Sequence, residues 1–186
     1  KDMSKKVVLA FSGGLDTSFC VPYLKEQGYE VHTVMVNTGG FDSKEVARIE
    51  KRAKDLGAAS HTTVDAVDTY YKKGIKYLIF GNVLKNDTYP LSVSSERIFQ
   101  ALEVLKIVKT LKAEYVAHGS TGAGNDQVRF DVVFNVLAPN VKIIAPIREH
   151  SFQRKYEIDY LVKHGFDFSW SKRKYSINQG IWGSSI

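Results

Sequence analysis

A short apolar run that ends in two glycines is the feature that most limits how this chain can fold. Residues 6–11 are apolar and partly β-branched, which is typical of a buried strand, and Ser12-Gly13-Gly14 follows at once. A helical pattern, capped by Asp16 or Thr17, then runs to about Gln27. The order of strand, glycine loop and helix predicts a loop at the carboxyl end of a parallel strand, where ligands bind in such folds.

The same alternation continues along the chain. Apolar strand patterns cover residues 6–11, 30–37, 60–64, 115–118 and 141–145. Helical patterns cover residues 16–27, 43–56, 68–77, 95–111, 126–138 and 153–164, with Ser43 capping the second and Ser94 or Ser95 the fourth. This order predicts an α/β fold: a doubly wound, mainly parallel five-stranded sheet with helices on both faces.

Size and composition are compatible with one domain, or with one domain and a fragment of a second. The chain has 186 residues, of which 44% are apolar. Cys20 is its only cysteine, which excludes an internal disulfide and a cysteine-based metal site. Neither a membrane span nor a secretory signal is evident, and Lys1-Asp2 ahead of Met3 suggests added residues. We therefore expect a cytoplasmic protein with no membrane partner.

The net charge of +6 raises the question of a nucleic-acid partner. Lysines are spread along the chain, largely on predicted helix faces, and the densest cluster is Lys172-Arg173-Lys174. A nucleic-acid footprint is more often a continuous basic stripe, whereas a dispersed excess is typical of a solvated surface and can also steer anionic substrates. We expect no nucleic-acid partner.

The segment Ser12 to Ser18, Ser-Gly-Gly-Leu-Asp-Thr-Ser, has the chemistry of a phosphate-binding loop. Glycines let the backbone approach phosphate oxygens, the following helix directs its free N–H groups and positive dipole end at an anion, and the hydroxyls add donors. A Walker loop would need a lysine before its Ser or Thr, but Asp16 stands there. The segment therefore predicts a different kind of nucleotide site.

A second polar loop covers Ala117 to Phe130 and contains three glycines among hydroxyl and amide side chains. If a helix begins near Asn125, that residue and Arg129 share one face, and the Arg129 guanidinium suits a carboxylate. Asp126 could bind an ammonium group or simply complement the helix dipole, and the spacing does not decide between these roles. His118 is as compatible with a structural role as with a phosphate contact.

Two resemblances go beyond these local arguments. The Ser12–Ser18 segment resembles the PP-loop of the ATP-pyrophosphatase superfamily, which splits ATP between the α and β phosphates. The whole chain resembles the N-terminal part of the argininosuccinate synthase family. The matching segments are residues 7–18, 117–130, 137–139, 144–146 and 175–176.

The second resemblance implies a fold, a reaction and a larger protein. It implies an adenine nucleotide α-hydrolase-like fold and the ATP-dependent joining of citrulline and aspartate through a citrullyl-adenylate, with Mg²⁺ bridging the phosphates. Residues 1–168 would be the ATP-binding domain, and residues 169–186 the start of a second domain whose remainder is missing here. The full-length protein is expected to be a homotetramer, and this portion alone would bind ATP but turn over poorly or not at all.

The resemblance also assigns residues. Ser12 and Asp16 are expected to act in catalysis. The implied ATP contacts are Ala10, Phe11, Ser12, Gly13, Gly14, Leu15, Asp16, Thr17, Ser18, Val36 and Gly119. The aspartate positions are Thr121, Asn125 and Asp126, and the citrulline positions are Tyr89, Ser94, Asn125, Arg129, Ser176 and Ser185. Local spacing alone favours a structural role for Tyr89 and Ser94. No side chain is assigned to a metal.

Two other functions stay open. A PP-loop enzyme that acts on tRNA would suit the basic charge, but it would leave the Ala117–Phe130 loop unexplained, and the single Cys20 excludes sulfur relay through paired cysteines. A non-catalytic nucleotide-binding module would need the first loop only. The four polar side chains of the second loop count against it.

Overall fold

The structure, a computed structural model, describes residues 5–168 and 178–185. The strands are β1 (Lys5–Ala10), β2 (Tyr29–Asn37), β3 (Ser60–Asp65), β4 (Leu84–Lys85), β5 (Tyr89–Pro90), β6 (Tyr115–Ala117), β7 (Lys142–Ile144), β8 (Asn178–Gly180) and β9 (Gly183–Ser185). Five of them form one sheet in the order β3-β2-β1-β6-β7, and all its neighbours pair in parallel. This confirms the predicted α/β fold and its five-stranded parallel sheet.

Helices follow most of the strands of this sheet. They are α1 (Leu15–Glu26), α2 (Ser43–Asp55), α3 (Val67–Tyr70), α4 (Lys76–Phe80), α5 (Val93–Leu111), α6 (Asp126–Leu137), α7 (Pro146–His150) and α8 (Arg154–Lys163), with a π-helical turn at Tyr71–Ile75 between α3 and α4. Among the described residues, no helix is long and apolar enough to cross a membrane.

Strand β1 shows why helices cover both faces of the sheet. Val7, Val8 and Leu9 are each fully buried, but successive side chains of a strand point to opposite faces. Val7 and Leu9 pack into a core with residues of α1, α2 and α8, whereas Val8 packs into a second core with residues of α5 and α6. The continuous apolar run is therefore the signature of a central parallel strand.

Three predicted helix caps were wrong. Helix α1 has Gly14 at its N-cap, and Thr17 bonds back to the Gly14 carbonyl instead of capping. Asp42, not Ser43, caps α2, because its carboxylate accepts the Glu45 N–H at 2.8 Å. Helix α5 begins after Ser92, ahead of both predicted serines, and no side chain caps it.

The hairpin formed by β8 and β9 docks on the loop that follows β2. The Ile181 N–H donates to the Thr38 carbonyl at 2.9 Å. A Cβ at Gly40 would lie 1.8 Å from the Gln179 carbonyl oxygen, and one at Gly180 would lie 2.8 Å from Glu96 Oε1. Glycines at both positions therefore allow a backbone approach that no other residue permits. Sequence patterns gave no strand here and indicated only a linker.

We predict that Gly40→Ala separates this hairpin from the β2 loop. The added methyl group would overlap the Gln179 carbonyl, and the hairpin is easier to displace than the buried sheet. Trp182 lies in the β8–β9 turn and is partly buried, so its fluorescence should shift to the red in a Trp170→Phe background. Gly124→Ala is the matched control, because a Cβ there meets nothing within 4 Å. An unshifted spectrum in the Gly40 variant would contradict the docking.

Candidate active site

A cleft of about 1120 Å³ opens where the strand order reverses, between the carboxyl ends of β1 and β6. The loop after β1 forms one wall, and the loop after β6 with helix α5 forms the opposite wall. Four arginines and four acidic side chains line it: Arg48, Arg97, Arg129, Arg154, Asp16, Glu45, Glu96 and Asp126. The cleft is thus polar and mixed in charge, which suits a ligand carrying both charged and polar groups.

The loop after β1 is shaped by Gly13. Its φ is +70°, in the left-handed region, and a Cβ there would lie 2.9 Å from Ile49 Cγ1 in the core. The Arg52 guanidinium of α2 donates a hydrogen bond to the Gly13 carbonyl at 2.5 Å, which stabilises the turn. A residue with a side chain would strain this backbone and also collide with the core.

Hydroxyl groups stabilise the rest of the loop. The Gly14 N–H donates to Ser12 Oγ at 3.3 Å, and Ser12 Oγ lies 3.2 Å from Thr17 Oγ1. Thr17 Oγ1 also lies 3.4 Å from the Gly14 carbonyl. Helix α1 then starts at Leu15, so its first N–H groups have no partner within the helix, and Leu15, Asp16 and Thr17 line the cleft. This arrangement can bind an anion such as a phosphate.

The loop after β6 is packed directly on the first loop. A Cβ at Gly119 would lie 3.1 Å from Thr17 Cγ2 and 3.2 Å from the Thr17 nitrogen. Gly119 is therefore the point at which the two glycine loops touch. A ligand held by one loop lies beside the other.

Asp126 lies between two arginines at the start of α6. Arg97 Nε approaches Asp126 Oδ2 at 3.0 Å, and Arg129 Nη1 approaches Asp126 Oδ1 at 2.6 Å. Asn125 occupies the N-cap, and its side chain makes no capping hydrogen bond. The carboxylate of Asp126 thus links α5 to α6 in addition to lying in the first turn, and both it and Arg129 border the cleft.

His118 has hydrogen-bond partners at both ring nitrogens. The Ser120 N–H donates to Nδ1 at 3.2 Å, so Nε2 carries the proton that it donates to Asp131 at 3.0 Å. Asp131 also pairs with Arg148 at 2.5 Å. The His118 hydrogen bond, followed by that of Arg148, lowers the pKa of Asp131. His118 is 1% exposed and stacks on Phe130, which fits the structural role considered for it.

Glu96 is a buried acid on the far wall of the cleft. It is 4% exposed and accepts hydrogen bonds from Thr38 Oγ1 and from Gln100 Nε2. Burial raises its pKa, and the Thr38 hydrogen bond opposes that rise. Because Gly180 lies against its carboxylate, Glu96 connects the β2 loop, helix α5 and the β8–β9 hairpin.

Most of the sequence-predicted site residues lie in this one cleft. The residues that line it are Ala10, Phe11, Ser12, Gly13, Gly14, Leu15, Asp16, Thr17, Val36, Gly119, Thr121, Asn125, Asp126 and Arg129. Ser18, Tyr89 and Ser94 do not line it: Ser18 is fully buried in α1, and Tyr89 is 48% exposed in the β4–β5 hairpin. Ser176 lies outside the described residues, and only the backbone of Ser185 is described.

Sequence reasoning missed several residues of the cleft, among them Arg48, Glu96, Arg97, Arg154 and Gln179. Arg97 lies one turn into α5, and the sequence carries no signal that marks it as a site residue. The others lie on helices or on a hairpin far away in sequence, and no local motif marks them. Their placement depends on how α2, α5 and α8 pack around the sheet.

Comparison with known families agrees with this geometry. The family model described as the arginosuccinate synthase N-terminal HUP domain matches residues 6–167. Among solved structures, a predicted subunit of tRNA methyltransferase from Methanocaldococcus jannaschii has a similar fold, with a TM-score of 0.50 and 18% sequence identity. The superposition covers 88% of this chain and 89% of that one. Likeness at that identity shows a shared fold and nothing more.

Curated relatives are much more similar in sequence. An argininosuccinate synthase of Xanthomonas campestris is 47% identical over 98% of this chain and 47% of its own length. Those of Methanocaldococcus jannaschii and Staphylococcus saprophyticus are 42% and 38% identical, over 99% and 98% of this chain and 46% and 45% of their own lengths. The chain thus spans about half the length of the curated relatives it matches.

The family match runs from β1 through α8, and it includes both glycine loops and the helices that bring them together. This chain therefore belongs to the argininosuccinate synthase family and corresponds to its N-terminal HUP domain.

Proposed function

We propose that this chain is the nucleotide-binding portion of a ligase that joins citrulline to aspartate. ATP, entering as its magnesium complex, would be cleaved to AMP and pyrophosphate, and the product would be argininosuccinate for arginine biosynthesis. Residues 1–168 form the ATP-binding domain in this proposal, and residues 169–186 begin the second domain. The complete protein is proposed to be a cytoplasmic homotetramer that acts on no nucleic acid.

The observation that carries the proposal is the contact between the two glycine loops. Gly119 lies against Thr17, so an anion site at the start of α1 and a polar site at the start of α6 share one cleft. A reaction between a nucleotide phosphate and a second substrate needs this adjacency, because holding two reactants together lowers the barrier by several kcal/mol, up to about 11. A module that only binds a nucleotide has no use for the second site.

The proposed chemistry has two steps. The ureido oxygen of citrulline attacks the α phosphorus, the bond to the β-phosphate oxygen breaks, and pyrophosphate leaves. The amine of aspartate then attacks the ureido carbon, the bond to the AMP oxygen breaks, and the amine loses its proton. Neither step needs a nucleophilic side chain, so the protein contributes position and electrostatic stabilisation.

Each loop has a distinct role in this scheme. The N–H groups at the start of α1 and the hydroxyls of Ser12 and Thr17 bind the phosphates that become pyrophosphate. Val36, at the end of β2, borders the adenine. Magnesium would enter the cleft with the phosphates and would offset part of their charge, since Mg²⁺ commonly binds substrate phosphates with few protein ligands.

The second loop supplies the acceptor site. Arg129 would bind the citrulline carboxylate, Asp126 the ammonium group of aspartate, and Thr121 and Asn125 the remaining polar groups. Their position on one wall, opposite the phosphate loop, supports these roles. Tyr89 and Ser94 stay citrulline contacts in the proposal, although neither lines the cleft in this structure.

Pyrophosphate release by the longer protein tests the proposal. The enzyme is incubated with ATP, Mg²⁺, citrulline and aspartate, and each amino acid is omitted in turn. We expect release to require citrulline, while argininosuccinate forms only when aspartate is also present. Pyrophosphate that appears without citrulline would refute the proposed acceptor. Stimulation by tRNA in place of citrulline would support an RNA-directed enzyme instead.

A further inference from the structure

Helix α8 carries a buried acid beneath the phosphate-binding loop. Glu157 is 2% exposed, although glutamate is seldom buried without a partner. Its Oε2 atom is enclosed and has no hydrogen-bond donor among the described residues. Tyr160 of the same helix packs edge-on against Phe19 of α1, with ring centroids 4.9 Å apart. The acid is thus enclosed between two tightly packed helices.

Three groups of differing charge face Glu157. Asp16, in the first turn of α1, lies within hydrogen-bonding range of the Glu157 carboxyl group. Cys20 follows Asp16 by one helical turn and is fully buried, and Arg154 is on α8 itself. Two facing carboxyl groups repel each other when both are ionised, but they form a hydrogen bond when one keeps its proton.

The protonation of this pair follows from burial. Burial, followed by the charge of Asp16 and its hydrogen bond, raises the pKa of Glu157 to about 8, and the charge of Arg154 opposes this rise. Burial also raises the pKa of the Cys20 thiol, with contributions from Glu157 and Asp16. At neutral pH, therefore, Glu157 carries a proton that it can donate to the Asp16 side chain.

We propose that Glu157 is a positioning residue for the phosphate-binding loop, donating a hydrogen bond through its protonated carboxyl group that fixes the Asp16 side chain at the start of α1. The proposal rests on the proposed binding of ATP by that loop. When Glu157 ionises, the hydrogen bond is replaced by repulsion between two carboxylates. Asp16 then leaves its position, and a second negative charge lies close to the bound phosphates.

Calorimetric titration of the chain with ATP between pH 6.5 and pH 9.5 tests this idea. We expect the wild-type affinity to be constant below about pH 7.5 and to fall by up to about tenfold per pH unit above pH 8, as one lost proton requires. Glu157→Gln keeps a neutral donor of the same shape, so its affinity should not change over this range. Asp159→Asn is the matched control, because Asp159 is exposed on the same helix. It should follow the wild type.

A second measurement does not depend on ATP. The side-chain carboxyl carbon of Glu157 should titrate near pH 8 in a carbon-13 NMR experiment. Because the folded-state pKa is raised above the ordinary 4.5, the associated stability is fully present below pH 4.5 and is lost as the pH rises to about 8. The melting temperature of Glu157→Gln should therefore rise relative to that of the wild type between pH 5 and pH 8.5.

These outcomes separate the two proposals. A Glu157 resonance already ionised at pH 7, or a Glu157→Gln variant whose ATP affinity falls with pH as the wild type's does, would overturn the positioning role. Failure of every variant to bind ATP at any pH would instead overturn the proposed function of the loop. Even then, the NMR titration would still decide whether Glu157 holds the proton.

Discussion

Replacing Gly13 with alanine is expected to weaken ATP binding by about 30-fold or more. A non-glycine residue at φ +70° costs about 1–2 kcal/mol, and the new Cβ would lie 2.9 Å from Ile49 in a close-packed core, which adds about 1 kcal/mol or more. The loop can relieve both only by leaving the conformation on which the proposed binding of phosphates by its N–H groups depends. About 2 kcal/mol corresponds to about 30-fold in a dissociation constant.

Calorimetry well below the melting temperature measures this effect separately from unfolding. Gly124→Ala serves as the control, since that glycine lies in the second loop, has no positive φ, and has open space around its missing side chain. It should bind ATP with nearly wild-type affinity. A Gly13→Ala protein that also bound ATP normally would show that the phosphates are held elsewhere.

Arg129→Ala is expected to lower kcat/KM for citrulline by at least about 30-fold in the longer protein, with ATP affinity changed less than about threefold. Removing one partner of a desolvated charge pair costs about 2–5 kcal/mol. The fold should survive, because Asp126 keeps its 3.0 Å contact with Arg97. The loss thus falls on the ligand that Arg129 binds rather than on the position of α6.

Two further variants sharpen the result. Arg129→Lys keeps the charge but lacks the planar fork, so an intermediate loss would indicate two-point binding of a carboxylate. Asn135→Ala alters an exposed position on the same helix and should have no effect. If Arg129→Ala weakened ATP and citrulline equally, Arg129 would belong to the nucleotide site or to the general architecture.

The sheet could be predicted from the sequence because its central strands are continuous apolar segments whose side chains are buried on both faces of the sheet. Val7, Val8 and Leu9 are apolar without alternation, which is the pattern of a central parallel strand. The adjacency of the two glycine loops also follows from such a sheet, since both loops leave its carboxyl edge. The predicted cap of α2 was wrong because Asp42 and Ser43 have nearly equal N-cap propensities, and the helix begins one residue earlier than the sequence indicates.

Other parts of the site depend on tertiary packing. In the sequence, nothing distinguishes Glu157 from the other charged residues of its predicted helix. Only the packing of α8 against α1 buries it beside Asp16. The β8–β9 hairpin has no periodic pattern, and its docking depends on the close contacts that Gly40 and Gly180 permit. Short elements such as α7 and the β4–β5 hairpin are below the length at which periodicity is visible.

The crossover from β3 to β6 also divides the cleft along the chain. Nearly every side chain that faces the loop after β1 from the opposite wall belongs to the continuous stretch 93–130, while the wall that contains this loop is encoded before residue 49. Apart from Gly119, which packs against Thr17, substitutions in this stretch can therefore change one wall of the cleft without altering the other. Replacement of this single segment would change most of one wall of the cleft, with Arg154 and Gln179 contributed from elsewhere.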